Sequence, residues 1–251
     1  MSDAASHYAG PVSHGPTPTG PARLGLVGAT GLIGRRLIEI TSEGETVRIV
    51  GIARREASLP KGARVEMFIA EPSKWGEVLE AVQPRALICA LGTTWRKAGR
   101  EEAAFRAVDY DLVLATARAA HAAGVPNMVM VSSAGADPRA KSFYLKVKGE
   151  AEEELSRVGF KRLDILRPGL LIGQREGDVR PLEAVARWAS PVIDPMVPKK
   201  WEMYRSIDAD IVAEAALHLS LRRAAGRFTH DNEAMKRAAR DWRAKHGADT
   251  V

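Results

Sequence analysis

The stretch that most constrains this chain is Gly28-Ala29-Thr30-Gly31-Leu32-Ile33-Gly34, lying directly behind the apolar run Leu24, Leu26, Val27 and ahead of Arg35, Arg36, Leu37, Ile38 and Ile40. An aliphatic run, a glycine-rich turn and apolar residues at helical spacing read as strand, turn and helix, the opening of a βαβ unit. Each glycine has its own expected role. Gly28 lets the chain leave the strand in a tight turn, Gly31 lets backbone approach a pyrophosphate, and Gly34 lets the helix pack against the sheet. The free amides of the first helical turn, with the helix dipole, favour a phosphate at this point. Gly28, Thr30, Gly31, Leu32, Ile33 and Gly34 are therefore the first cofactor-binding candidates. With 22 glycines in 251 residues such spacings also arise by chance, so an ordinary strand-to-helix turn stays open unless the flanking sequence supports a nucleotide site.

The flanking sequence supplies a repeat of strand and helix. Residues 1–22 carry Pro, Gly, Ser, Thr and His without periodicity, as in Ala9-Gly10-Pro11-Val12-Ser13-His14-Gly15-Pro16, and read as a flexible leader. Beyond the first helix, residues 47–52, 65–69, 85–91, 128–131 and 163–166 read as strands. Helices are expected over 73–82, apolar at Trp75, Val78, Leu79 and Val82, and over 101–123, apolar at Phe105, Val108, Leu112, Ala115 and Ala119 and stopped by Gly124 and Pro126. Another is expected from Tyr144 through Val158. The alternation predicts an α/β fold of the Rossmann type, a doubly wound parallel sheet over 23–170, with a small C-terminal substrate lobe over 171–251. Pro181, Pro191, Pro195 and Pro198 there accompany Trp188, Met196, Trp201, Met203 and Tyr204, which read either as a substrate pocket or as the lobe's own core. Residues 208–222 and 232–246 read as amphipathic helices, and Arg227-Phe228-Thr229 as a short last strand.

Two further constellations carry chemistry. At the end of the second strand, about 20 residues past the glycines, an acidic residue would bind a ribose 2′-hydroxyl and an Arg would accommodate a 2′-phosphate. The chain has Ile52-Ala53-Arg54-Arg55 there. Two cations and no carboxylate at that position point to NADP(H), because a guanidinium can hold a phosphate bidentately; a solvated turn is the alternative. The second constellation joins Val131-Ser132-Ser133-Ala134-Gly135 to Tyr144-Leu145-Lys146-Val147-Lys148. Ser133 follows the fifth strand, so its hydroxyl projects at the carboxyl edge of the sheet, where open α/β folds bind ligands. Tyr144 and Lys148 are four apart and share a helix face. An ammonium close to a phenol favours the phenolate, so such a Tyr can exchange protons, while a strand-end Ser can hydrogen-bond a carbonyl oxygen on which negative charge gathers. Ser133, Tyr144 and Lys148 are the catalytic candidates.

With these residues stand Leu91-Gly92-Thr93-Thr94 and Lys97-Ala98-Gly99, Val108-Asp109-Tyr110-Asp111, Gly135-Ala136-Asp137, Gly149-Glu150 and Arg167-Pro168-Gly169. On these motifs, residues 23–220 resemble the extended or atypical branch of the short-chain dehydrogenase/reductase superfamily, with its GxxGxxG glycine motif and its YxxxK signature behind a Ser. Within it the resemblance is to the Tat-interactive protein family of NADPH-binding, dehydrogenase-like proteins. The resemblance implies a Rossmann fold, NADP(H) in the glycine cleft, and a Ser133, Tyr144, Lys148 triad in which Lys148 also touches the nicotinamide ribose. It further implies that Leu91, Gly92 and Thr93, with Pro168 and Leu170 about Gly169, flank the nicotinamide half of the cofactor. The chain departs from the pattern twice. Glu71 stands where the superfamily often has an Asp near the adenine, and Asp109 where many members have an Asn that completes a proton relay.

Composition narrows the alternatives. Lys and Arg are spread along the chain among Asp and Glu despite a net charge of +6, and aromatics are 6%, so no basic stripe with a stacking platform marks a nucleic-acid binder. The six His have no metal-ligand spacing, and the lone Cys89 sits in an apolar run as a core residue. No apolar run is long enough to span a bilayer. The expected compartment is cytoplasmic, and the expected partners are a small-molecule carbonyl or alcohol and a second copy of the chain in a homodimer, with no nucleic acid and no membrane. The leading reading is an NADPH-dependent oxidoreductase. The alternatives are an NADP(H)-binding regulatory or interaction protein with little catalysis, favoured by the missing relay Asn, and a nucleotide-sugar epimerase or dehydratase, disfavoured by the paired arginines and the short chain after Pro168.

Overall fold

The computed structural model describes residues 20–42, 44–56, 58–172 and 205–246. The leader as far as residue 19, and the Pro- and aromatic-rich stretch with Trp188, Met196, Trp201, Met203 and Tyr204, lie outside the described residues.

Strands are β1 (Ala22–Val27), β2 (Val47–Ala53), β3 (Glu66–Ile69), β4 (Ala86–Cys89), β5 (Asn127–Val131), β6 (Arg162–Leu166), β7 (Leu171–Ile172), β8 (Ile207–Asp208) and β9 (Gly226–His230). Seven of them form one parallel sheet in the order β3-β2-β1-β4-β5-β6-β9, and β7 pairs with β8 apart from it. The helices are α1 (Leu32–Ser42), α2 (Trp75–Val82), α3 (Glu102–Arg106), α4 (Val113–Ala122), α5 (Phe143–Val158), α6 (Ala209–Ser220) and α7 (Asn232–His246). This is the doubly wound Rossmann arrangement.

Side-chain alternation along the strands explains the two layers. Leu24, Leu26, Ile88 and Val129 point to one face, beneath Leu37 and Ile38 of α1, Val212 and Leu219 of α6, and Met235 and Trp242 of α7. Val27, Leu87, Cys89, Met128 and Met130 point to the other, beneath Trp75 and Leu79 of α2, Leu114 and Ala117 of α4, and Leu155 of α5. A sheet buried on both faces needs near-continuous apolar strands, which is why they read so clearly. The strand next to the β9 edge is the exception. On β6, buried Arg162 pairs bidentately with buried Asp164 at 2.6 and 2.8 Å, and His230 of β9 closes on Asp164 at 2.8 Å.

Local signals bound the helices, and the stop at Gly124 is the one expected. α4 stops where Gly124 takes φ 79°, with the Gly124 and Val125 amides donating back to the His121 and Ala120 carbonyls. α6 starts where the Asp208 carboxylate accepts from the Asp210 amide at 2.9 Å.

Two expectations are corrected. The single helix expected over 101–123 is α3, a π-helical segment Ala107–Leu112, and α4. A π turn takes an extra residue and re-phases the helix, and it brings Asp109 inward to full burial. The fourth strand is shorter than 85–91, because Ala90 and Leu91 already turn beneath Gly28. The sheet reverses its order between β1 and β4, so the crevice past their carboxyl ends is the switch point at which such folds bind ligands.

Candidate active site

The glycine turn lies in that crevice. Gly28 holds φ 90°, and a Cβ on it would sit 2.4 Å from the Ala90 carbonyl oxygen and 2.8 Å from the Leu91 nitrogen, so only glycine lets the two loops meet. Gly34 corrects the sequence reading: its Cβ would fall 2.2 Å from the Gly28 oxygen, so it packs the helix against the turn and not against the sheet. Around Gly31 the nearest atoms to a Cβ are the Gly28 and Ala90 oxygens at 3.3 and 3.7 Å. The first turn of α1, with Leu32 and Ile33, carries no acidic side chain to oppose an anion. These residues fit a dinucleotide phosphate. Arg54 and Arg55 are exposed just past β2 and pair with no carboxylate among the described residues. Glu71 is exposed two residues past β3.

The catalytic candidates on α5 meet the loop after β4 through Asp109. Lys148 is 4% exposed and Asp109 0%. The Lys148 Nζ stands 2.8 Å from Asp109 Oδ1, and the other oxygen, Oδ2, accepts from the Thr93 amide at 2.8 Å. Apart from the ion pair, Oδ1 has no hydrogen-bond partner. A Cβ on Gly92 would lie 3.5 Å from Asp109 Oδ1 and 3.8 Å from Lys148 Nζ, so Gly92 roofs the pair. Burial pushes the Lys148 ammonium down, but the charges of Asp109, Tyr144 and Cys89 outweigh it and the net shift is upward. Lys148 is therefore an ammonium, with Tyr144 one helical turn before it. Below them Cys89 is fully buried, its thiol pushed up to about 11 by burial, which makes it the inert core residue expected.

Ser133 follows β5 at the carboxyl edge, its hydroxyl donating to the Ala134 carbonyl at 3.3 Å. Its loop is held against α5 around Tyr144 and Lys148: the Asp137 amide donates to the Leu145 carbonyl at 3.2 Å, and a Cβ on Gly149 would fall 2.2 Å from Asp137 carbonyl carbon. The Ala134 amide donates to the Pro168 carbonyl at 2.8 Å, placing the loop after β6 beside the Ser133 loop. Leu170 is exposed and its carbonyl accepts from the Ile207 amide at 2.9 Å.

Two groups take positioning roles that the sequence reading did not assign to them. Buried Glu152 on α5 accepts from the Ser132 hydroxyl and pairs with Arg167, tying α5 to the ends of β5 and β6. Gly149 is the other. The signals existed, a glutamate on the inward face of α5 and a glycine inside a helix, but only the fold shows what each one touches.

Known proteins match this architecture. The family model described as NAD(P)H-binding matches residues 28–193. The protein fmp52, mitochondrial, of Emericella nidulans is 35% identical over 208 residues, covering 80% of this chain and 88% of that one. The fmp52 protein of Aspergillus fumigatus, also named mitochondrial, is 34% identical over 211 residues, with the same coverages. Among solved structures, MoeE5 in complex with UDP-glucuronic acid and NAD superposes with a TM-score of 0.65 at 17% identity, covering 84% of this chain and 76% of that one. The UDP-glucose 4-epimerase of Thermotoga maritima gives a TM-score of 0.64 at 13% identity, covering 91% and 84%. At such identity these likenesses show the fold alone.

The relatives also correct the expected cytoplasmic compartment, since the fmp52 proteins are named mitochondrial. That expectation rested on a lone cysteine and the lack of a spanning segment, and both features suit a reducing organelle interior equally well. Among the described residues no helix is long and apolar enough to cross a membrane. The relatives bear the fmp52 name and not the Tat-interactive one. From its glycine turn through residue 193 the chain belongs to the NAD(P)H-binding family, and it is kin to the fmp52 proteins.

Proposed function

We propose that this chain is an NADP(H)-dependent oxidoreductase that reduces a carbonyl compound or oxidises the corresponding alcohol, with Ser133, Tyr144 and Lys148 as its catalytic residues. The preference for the phosphorylated dinucleotide is supported by Arg54 and Arg55, exposed past β2 and unpaired among the described residues, where a 2′-phosphate would need cations. Gly28, Thr30, Gly31, Leu32, Ile33 and Gly34 would hold the pyrophosphate, and Leu91, Gly92, Thr93, Pro168 and Leu170 the nicotinamide half. The bound nicotinamide supplies or accepts the hydride. Tyr144 gives its proton to the substrate oxygen during reduction and takes it back during oxidation. Lys148 keeps a positive charge one turn from that phenol and reaches the ribose, and the Ser133 hydroxyl donates to the substrate oxygen where negative charge gathers.

The observation that carries this reading is an almost completely buried ammonium one helical turn from a phenol that remains open to solvent, set against the loop after β4 that the glycine turn also meets. Tyr144→Phe tests it. NADPH-dependent reduction across a panel of aldehydes and ketones should fall by roughly two orders of magnitude or more, while the heat of NADPH binding stays close to that of the wild type. Undiminished turnover would remove Tyr144 from the mechanism. A second reading, an NADP(H)-binding regulatory protein with little catalysis, is favoured by Asp109, whose carboxylate answers the Lys148 charge. It gains if the wild type binds NADPH tightly and reduces nothing in the panel.

A further inference from the structure

A third apolar cluster stands apart from the two cores that sandwich the sheet. Its buried members are Ala98, Phe105 and Val147, with Phe143 packed against them. Phe105 is its centre, 5.8 Å from the Phe143 ring, 5.6 Å from Tyr144 and 6.4 Å from Trp95. Trp95 also meets Phe143 edge to face at 5.8 Å. Phe105 is fully buried, yet Trp95 is 44% exposed and Tyr144 39%. An indole left open to this degree, on the same aromatic base as the candidate proton donor, is an apolar surface beside the reacting position.

The chain around Trp95 holds it there. Trp95 is two residues past Thr93, whose amide is fixed on the buried Asp109. The turn closes when the Arg100 amide donates to the Trp95 carbonyl at 2.9 Å and the Ala98 amide to the Thr94 carbonyl at 2.9 Å. Closing it requires φ 67° at Gly99 and φ 63° at Arg100, and a side-chain-bearing residue keeps that conformation only where its surroundings enforce it.

We propose that Trp95, with Phe143 and Tyr144, forms an aromatic wall that receives a flat apolar group of the substrate, so that the carbonyl compound taken by this site is an aromatic or conjugated one and not a nucleotide sugar. The proposal rests on the oxidoreductase reading and deepens it. The reduction it implies is balanced: hydride adds to the carbonyl carbon, the carbon-oxygen π pair moves to oxygen, and the Tyr144 proton joins that oxygen. The wall offers ring faces and edges, which select planar apolar groups through offset and edge contacts.

The test uses the full chain with NADPH and two probes, trans-cinnamaldehyde and propanal, with UDP-glucose as competitor. The wild type should prefer cinnamaldehyde in kcat/KM. Trp95→Ala should cut that preference roughly tenfold, chiefly through KM, and Trp95→Phe should restore most of it. NADPH-binding heat measured on the same preparations reports folding, and Trp95→Leu, which keeps bulk but no ring, replaces the alanine variant if that fails to fold. A preference unmoved by loss of the ring overturns the wall, as does UDP-glucose competing with cinnamaldehyde at lower concentration than the aldehyde itself requires. If the wild type reduces both aldehydes without preference, the wall alone falls. If it reduces neither, the oxidoreductase reading falls and the wall with it.

Discussion

Removing either partner of the Lys148–Asp109 pair should destabilise the protein far more than removing both. At 2.8 Å the two charges attract by about 6 kcal/mol at an effective dielectric of about 20. Their near-complete burial costs several kcal/mol per ion, so the intact pair contributes little net stability, while an unpaired survivor keeps the whole penalty. Asp109→Asn retains an oxygen to accept the Thr93 amide but leaves the ammonium alone, and Lys148→Met leaves the carboxylate with the Thr93 amide only. Each single variant should lose about 3–5 kcal/mol, a large share of the roughly 5–15 kcal/mol typical of a folded domain and about 10 °C in Tm. The double variant should recover most of this loss. The assay is urea unfolding of all four proteins, closed as a double-mutant cycle. Losses that simply add would refute the assignment of a buried, mutually compensating pair. The pH dependence gives a second reading with a definite sign. Because the folded-state value of Lys148 is raised, its stabilisation is complete below the ordinary lysine range and is lost as pH climbs through the raised value, so the wild type should weaken on the alkaline side where Lys148→Met does not.

Gly149→Ala should lower Tm by several degrees and reduce turnover. Its Cβ would fall 2.2 Å from the Asp137 carbonyl carbon and 2.3 Å from the Pro138 nitrogen, and backbone cannot yield as a side-chain tip can, so the loop carrying Ser133 must move away from Tyr144; an unchanged Tm would show that the approach is looser. Replacing both Arg54 and Arg55 by Glu should weaken NADPH binding by about two orders of magnitude and leave NADH within a few-fold, measured by calorimetry. Equal losses for both dinucleotides would show that these arginines do not read the 2′-phosphate.

What the sequence makes legible follows from which interactions are local. The glycine turn announces itself because Gly28 must take positive φ, and the strands because a sheet covered on both faces tolerates few polar residues. Gly124 and Asp208 mark helix ends through hydrogen bonds that span five residues or fewer. The π turn at Asp109 has no such local cause. In sequence, residues 101–123 satisfy one helical period, and Asp109 stands out only through the resemblance, as a replacement for a relay Asn, with nothing to show that it is buried. Its partners, Thr93 and Lys148, are 16 residues before it and 39 after it, and only the stacking of β4, α4 and α5 brings them together. Glu152 is hidden in the same way, its proximity to Ser132 and Arg167 being set by the packing of α5 across the ends of β5 and β6. Gly149 enters the sequence reading only as part of the motif after Lys148, because a glycine inside a helix looks like a small loss of propensity until another backbone is found against it.

These three residues share a property that ties the fold to the site. Asp109 joins α5 to the loop after β4, Gly149 joins it to the loop after β5, and Glu152 joins it to the end of β6 through Arg167. The helix that carries Tyr144 and Lys148 is thereby fastened to three successive strand ends, each by a contact that one atom more, or one charge fewer, would break. Helix packing alone would leave α5 free to slide by a fraction of an ångström along an apolar surface. Buried polar contacts have steep distance dependence and remove that freedom, which is what a proton donor held beside a nicotinamide would require.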